Sequence, residues 1–146
     1  MDAAPVLLAT LLISSPARAR AQQPDVPPVL SRAFALLQVD SVDAATHLWS
    51  RTWTSPADSG KAEVISQAFK DTREVAGPLR GYDLVKTESV SPHLRRIYVL
   101  MLYEHAPMYA QFLIYDPGIM PAGWQVQSVL WNTDVSKAWP ASMWTQ

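Results

Sequence analysis

The chain has 146 residues, 49% of them hydrophobic and 17% charged, with 12 basic and 13 acidic side chains and no cysteine. That is one domain's worth of chain, with enough apolar material to build its own core. The near-neutral charge excludes a basic field for nucleic acid or anionic lipid, and the missing cysteine excludes disulfides, a lipid-anchored cysteine and thiolate chemistry.

Pro5 to Ile13 (PVLLATLLI) is a short apolar run, followed by Ser14-Ser15-Pro16 and then Ala19-Arg20-Ala21. A hydrophobic segment, a helix breaker and an A-x-A site stand in the order a secretory signal requires. Residues 1–21 are therefore expected to be a cleaved signal peptide, which places the mature chain in the periplasm or outside the cell. The run falls well short of the roughly 20 apolar residues of a membrane span, so no stable membrane anchor is expected. Two features depart from the pattern: Met1-Asp2 is not basic, and the positive charges, Arg18 and Arg20, follow the run. Cleavage removes two of the 12 basic and one of the 13 acidic residues, leaving a net charge of about −2. Residues 22–28 (QQPDVPP) then read as an extended linker, 29–134 as the domain and 135–146 as a C-terminal tail.

Leu30, Ala33, Phe34 and Leu37 fall at i, i+3, i+4 and i+7, the stripe of a helix that buries one face. Pro27 and Pro28 suit its first turn. At Val39-Asp40-Ser41 the pattern restarts, and Asp40 or Ser41 is expected to cap a second helix whose buried side holds Val42, Ala45, Leu48 and Trp49. Ser55-Pro56 offers a further cap, and Ile65, Ala68, Phe69, Thr72 and Ala76 continue with helical period. Gly77-Pro78 ends this third helix, because glycine accepts the left-handed conformation and proline cannot extend the ladder.

Beyond Gly77 the apolar period changes from 3.6 to 2. Tyr82–Val90, Leu94–Glu104, Met108–Tyr115 and Trp124–Asn132 read as strands, joined by short turn-like separators that favour an antiparallel meander. Helices first and strands afterwards predict an α+β fold with the helices on one face of a four-stranded antiparallel sheet. In the second strand Ile97, Val99, Met101 and Tyr103 share one face, with Tyr98, Leu100 and Leu102 on the other. In the third, Met108, Ala110, Phe112 and Ile114 oppose Tyr109, Leu113 and Tyr115. Both faces are apolar, and three helices cover only one. The other face needs a second protomer, the C-terminal tail or an apolar ligand.

The order of three helices and a four-stranded meander resembles the NTF2-like, cystatin-like superfamily over about 30–135. Short stretches resemble its small exported members with a domain of unknown function. They are the aspartate-bounded step Leu36 to Ala45, Arg73-Glu74-Val75-Ala76-Gly77-Pro78-Leu79, and the Gly123-Trp124-Gln125-Val126 strand start. The resemblance implies a sheet curled around the helices as a cone, often dimeric, with a pocket inside, and it implies no particular activity. The Q-x-V-x-G loop of true cystatin inhibitors is not reproduced, since Gln127-Ser128-Val129-Leu130-Trp131 puts tryptophan in the glycine position.

Isomerase-like chemistry in such a cone requires a carboxylate base opposite a tyrosine or protonated carboxylic acid. The candidate groups are Asp40, Asp43, His47, Asp83, Tyr98, Tyr103 and Glu104. The plainer roles of the two aspartates are helix capping and favourable charge at a helix start. His47, His93 and His105 have no metal-ligand spacing, neither a G-x-S-x-G elbow nor a phosphate-binding loop occurs, and no cofactor is expected. Arg95-Arg96 reads as a strand-edge guard. Trp49, Trp53, Trp124, Trp131, Trp139 and Trp144 serve as core and interface filling or as pocket aromatics. Phe34, Leu37, Trp49, Phe69, Tyr98, Phe112 and Trp131 are the expected lining of an internal pocket. The expected function is an exported, non-catalytic module binding a partner or small apolar ligand, with a homodimer through the open sheet face as a further partner. The alternatives are a ketosteroid-isomerase- or dehydratase-like enzyme and a structural homodimer without a pocket.

Overall fold

The computed structural model describes residues 26–51, 59–119 and 123–144. The expected signal peptide, the start of the linker, the Ser55-Pro56 cap and Trp53 lie outside them. Three helices, α1 (Pro28–Gln38), α2 (Val42–Ser50) and α3 (Ser59–Ala76), precede four strands. These are β1 (Leu79–Ser91), β2 (Leu94–Tyr103), β3 (Pro107–Tyr115) and β4 (Gln125–Asn132), and a four-residue helix α4 (Val135–Ala138) and a 3-10 turn (Ala141–Met143) follow. The sheet has the order β1-β2-β3-β4 with every pair antiparallel, so the chain is α+β as its apolar rhythm predicts.

The helical stripe of α1 is buried as a unit: Leu30, Ala33, Phe34 and Leu37 face the core. Its C-terminus differs from expectation. Asp40 adopts a left-handed φ of 65°, with its N–H bonded to the Leu37 carbonyl at 3.2 Å and the Ser41 N–H to that of Leu36 at 2.8 Å. These two bonds form a Schellman closure of α1, with an aspartate where glycine is usual. Neither Asp40 nor Ser41 caps α2 with its side chain, because closing α1 has already fixed the backbone there. Asp43 in the first turn of α2 supplies the favourable charge instead.

α3 ends as predicted. Gly77 takes φ 80° and its N–H bonds the Arg73 carbonyl at 2.9 Å. A side chain here is excluded twice over, since a Cβ would also lie 2.9 Å from the Cβ of Glu104. The strand begins at Leu79 rather than Tyr82, because buried Leu79 pairs with Tyr103 across a register shift at Gly81 that the two-residue rhythm does not reveal.

The inner face of the sheet carries Ile97, Val99, Met101, Tyr103, Met108, Ala110, Phe112 and Ile114 against the helices, in the alternation read from sequence. The outer face has its own cover. After β4 the tail folds back, and Ala138 and Trp139 cluster with Tyr98, Leu100 and Tyr109. The Trp139 indole N–H donates to the Ala110 carbonyl at 2.9 Å, and its ring meets Tyr109 and Tyr98 edge-on at 5.1 and 6.2 Å. Asp134 caps α4, accepting from the Ser136 N–H at 3.0 Å.

Candidate functional site

Six of the seven residues expected to line an internal pocket come together on the inner face. Phe34 and Leu37 arrive from α1, Trp49 from α2, Phe69 from α3, Phe112 from β3 and Trp131 from β4. They pack ring on ring. Phe34 contacts Phe112 at 5.6 Å and Trp49 at 6.2 Å, Trp49 contacts Phe112 at 5.2 Å and Phe69 at 5.4 Å, and Trp131 stacks on Phe69 at 4.9 Å. These separations are those of aromatic neighbours in a core. The seventh residue, Tyr98, is corrected to the opposite side of the sheet, since its neighbours Ile97 and Val99 occupy the inner face. Among the described residues the buried Trp49 indole N–H has no hydrogen-bond partner. At one end of the inner face Arg95 lies over the Trp124 ring, 4.3 Å from its centroid.

Two surface clefts, of about 350 and about 480 Å³, run along α2 and α3 and share Asp43 and Lys70. Ser66 and Lys70 stand one turn apart on α3 and both reach Asp43 of α2. The Ser66 hydroxyl donates to Oδ1, and Lys70 Nζ lies 2.7 Å from Oδ1 and 2.9 Å from Oδ2. The Lys70 hydrogen bond, then that of Ser66, holds the Asp43 carboxyl below its usual range. A carboxylate so stabilised is a weak base for deprotonating a hydroxyl. Beside it Arg73 pairs with Asp40 at 2.6 Å. The two pairs brace α3 against the α1–α2 step, a role the sequence expectation for these aspartates did not include. His47 and Ser50 line the first cleft.

A second polar cluster sits on the outer face. The buried Tyr98 hydroxyl donates to Glu88 Oε2 at 3.1 Å. Lys86 lies 2.6 Å from Glu88 Oε1, and Arg96 Nη1 lies 3.6 Å from Oε2. Register explains the grouping, because Lys86 is opposite Tyr98 and Glu88 opposite Arg96. Chiefly the Lys86 hydrogen bond lowers the Glu88 carboxyl, and chiefly burial raises the Tyr98 hydroxyl. Among the described residues the buried Arg96 Nε has no hydrogen-bond partner. Arg96 is thus a member of this cluster, while Arg95 belongs to the inner face.

The remaining candidates are scattered. Tyr103 is on the inner face, its hydroxyl pushed up to about 12 by burial alone. Glu104 pairs with Arg80, and Asp83 is exposed opposite Leu100. His93 Nδ1 lies 3.0 Å from the Asp116 carbonyl oxygen, and His105 packs beside Gly77. Among the described residues no three acidic, histidine or cysteine side chains are grouped to hold a metal ion. No helix there is long and apolar enough to cross a membrane.

Sequence reasoning missed Lys86 and Glu88 as partners of Tyr98, and Ser66 and Lys70 as partners of Asp43. The i, i+4 spacing of Ser66 and Lys70 was the visible signal for the second group. No family model, curated protein or solved structure matches this chain.

Proposed function

We propose that the chain is an exported, non-catalytic binding module of the NTF2-like kind, which engages a partner protein through its outer surface and has no chamber inside the sheet. The order of three helices and a four-stranded meander supports the likeness, and the apolar run before Ala19-Arg20-Ala21 supports export. The observation that carries the reading is the inner layer. Phe34, Trp49, Phe69, Phe112 and Trp131 touch one another in the place where a ligand pocket would require open space.

Acid–base chemistry finds little support in the same layer. Among the described residues no carboxylate bonds the Tyr103 hydroxyl, and Glu104 is engaged by Arg80. The tyrosine–carboxylate pair that does form, Tyr98 with Glu88, is on the other face, and Lys86 stabilises the charge of Glu88. What remains for recognition is apolar surface beside the tail, with Leu102 exposed and Leu100, Tyr109 and Leu113 half-buried. The test is a titration of the full chain with a hydrophobic dye and a steroid, followed by side-chain NMR. Weak binding with shifts confined to the outer face is expected. Saturable binding that shifts Phe34, Phe112 and Trp131 would overturn the reading. A structural homodimer without a pocket draws on the same filled layer and is separated by whether any other protein binds.

A further inference from the structure

An open sheet has two edges, and here they are built differently. β1 carries Arg80, Asp83, Lys86 and Glu88, and it breaks register with β2 at three places. The Gln38 side chain also covers one of its backbone groups, donating to the Arg80 carbonyl at 3.1 Å. Charge, bulges and covered backbone are the means by which an edge strand refuses a further strand. β4 is the other edge. Gln125 to Asn132 contains no charged residue, no proline and no glycine, and it shifts register only once, against Leu113 and Ile114. Among the described residues no strand pairs with its far side. Leu130 there is 47% exposed. The tail that follows β4 sits over the outer face, on Tyr98, Leu100 and Tyr109.

We propose that β4 is the docking edge for a second copy of this chain, the two β4 strands pairing antiparallel about a two-fold axis at Leu130 to form one continuous sheet of eight strands. The side chains select the register. Val129 and Trp131 pair with Phe112 and Ala110 and so face inward, while Ser128 and Leu130 pair with Leu113 and Gln111 and face outward. With the axis at residue 130, Val129 of one copy meets Trp131 of the other, Ser128 meets Asn132, and Leu130 meets its own counterpart. Apolar meets apolar on the inner side, polar meets polar on the outer side, and the exposed leucine is buried. Moving the axis to Val129 sets Trp131 against Gln127 and Leu130 against Ser128, which mismatches both. No like charges meet in either register, a conflict that β1 paired with itself would risk. This self-matching favours a second copy over an unrelated extended peptide. Five paired residues bury less than the about 1,200 Å² of a stable complex, so the association is weak and concentration-dependent.

The proposal is tested by Leu130→Cys in the full chain, which has no other cysteine. At the axis the two Cα atoms stand about 4.5–5.5 Å apart, inside the about 4.4–6.8 Å that a disulfide accepts. Mild oxidation is expected to convert the folded variant to a covalent dimer. Val85→Cys, 45% exposed on the guarded edge, is expected to stay monomeric. Sedimentation of the unmodified chain is expected to show a monomer–dimer equilibrium, and Leu130→Lys should weaken it at least about tenfold. A wild type that is monomeric up to millimolar concentration overturns the proposal by itself. So does equal cross-linking of the two cysteine variants, or unchanged association of Leu130→Lys. A monomer leaves the outer-face reading standing, and loss of that reading leaves this one standing.

Discussion

Trp139→Ala probes the tail that covers the outer face. The side chain is 8% exposed, meets Tyr109 and Tyr98 edge-on and donates to the Ala110 carbonyl. A tryptophan buries about 200 Å², which at about 25 cal/mol per Å² amounts to about 5 kcal/mol as an upper estimate. The hydrogen bond adds about 1 kcal/mol. Ordering the tail costs about 1 kcal/mol per residue, so its net docking free energy is a small residual, and the substitution removes more than that residual. The tail should therefore detach while the sheet stays folded. Hydrogen exchange is the assay: amides of Ser136 to Met143 lose protection, those of β2 and β3 keep theirs, and dye binds the uncovered Tyr98 and Leu100. Trp139→Phe, which keeps the ring, should cost only about 1–2 kcal/mol. If Trp139→Ala instead lowers protection evenly through the sheet, or leaves the tail protected, the tail is not a separable cover.

The other predictions concern the helix ends and the brace between them. Gly77→Ala forces a Cβ into a left-handed backbone and against Glu104, so thermal unfolding should show a loss of more than about 1 kcal/mol. Asp40→Gly relieves the left-handed aspartate and loses only a half-exposed ion pair with Arg73. It should be neutral or stabilising in urea titrations, while Asp40→Val is destabilised by at least about 1 kcal/mol. The carboxyl of Asp43 is depressed in the folded state by Lys70 and Ser66. Its contribution is therefore present above the unfolded value near 3.8 and lost as pH falls through the lower folded value. Urea midpoints of wild type and Asp43→Asn should differ at neutral pH and converge in acid. A constant difference would refute the linkage.

The helices and strands were legible because their apolar residues recur with one clean period each. The α1 stripe from Leu30 to Leu37 and the inner row from Ile97 to Tyr103 are both buried as spacing demanded. The need to cover the outer face was legible too, from Tyr98, Leu100 and Tyr109 alternating with core residues. What failed depended on backbone detail that side-chain pattern does not encode. Asp40 looks like a helix start because aspartate caps helices, yet here it closes the helix before it. The Glu88–Tyr98 pair depends on the register shift at Val90. Without the shift at Val90, an unbroken ladder from Ser91 and Leu94 would set Glu88 opposite Ile97, and the sequence gives no mark of the extra residue. The expected pocket lining includes Tyr98, although the alternation of β2 sets it on the other side of the sheet from Ile97 and Val99.

The inner aromatic layer has a consequence for the order in which the molecule is made. Phe34, Trp49 and Phe69 belong to the first half of the chain, and their counterparts Phe112 and Trp131 emerge near its end. The helices can meet β1 and β2 first, as Phe34 does Tyr82 at 4.2 Å. The layer is incomplete until the third and fourth strands exist, so early folding gains only part of its stabilisation. The aromatic layer therefore closes only once β4 has been made, and until then the rings of α1, α2 and α3 lack the partners that β3 and β4 supply.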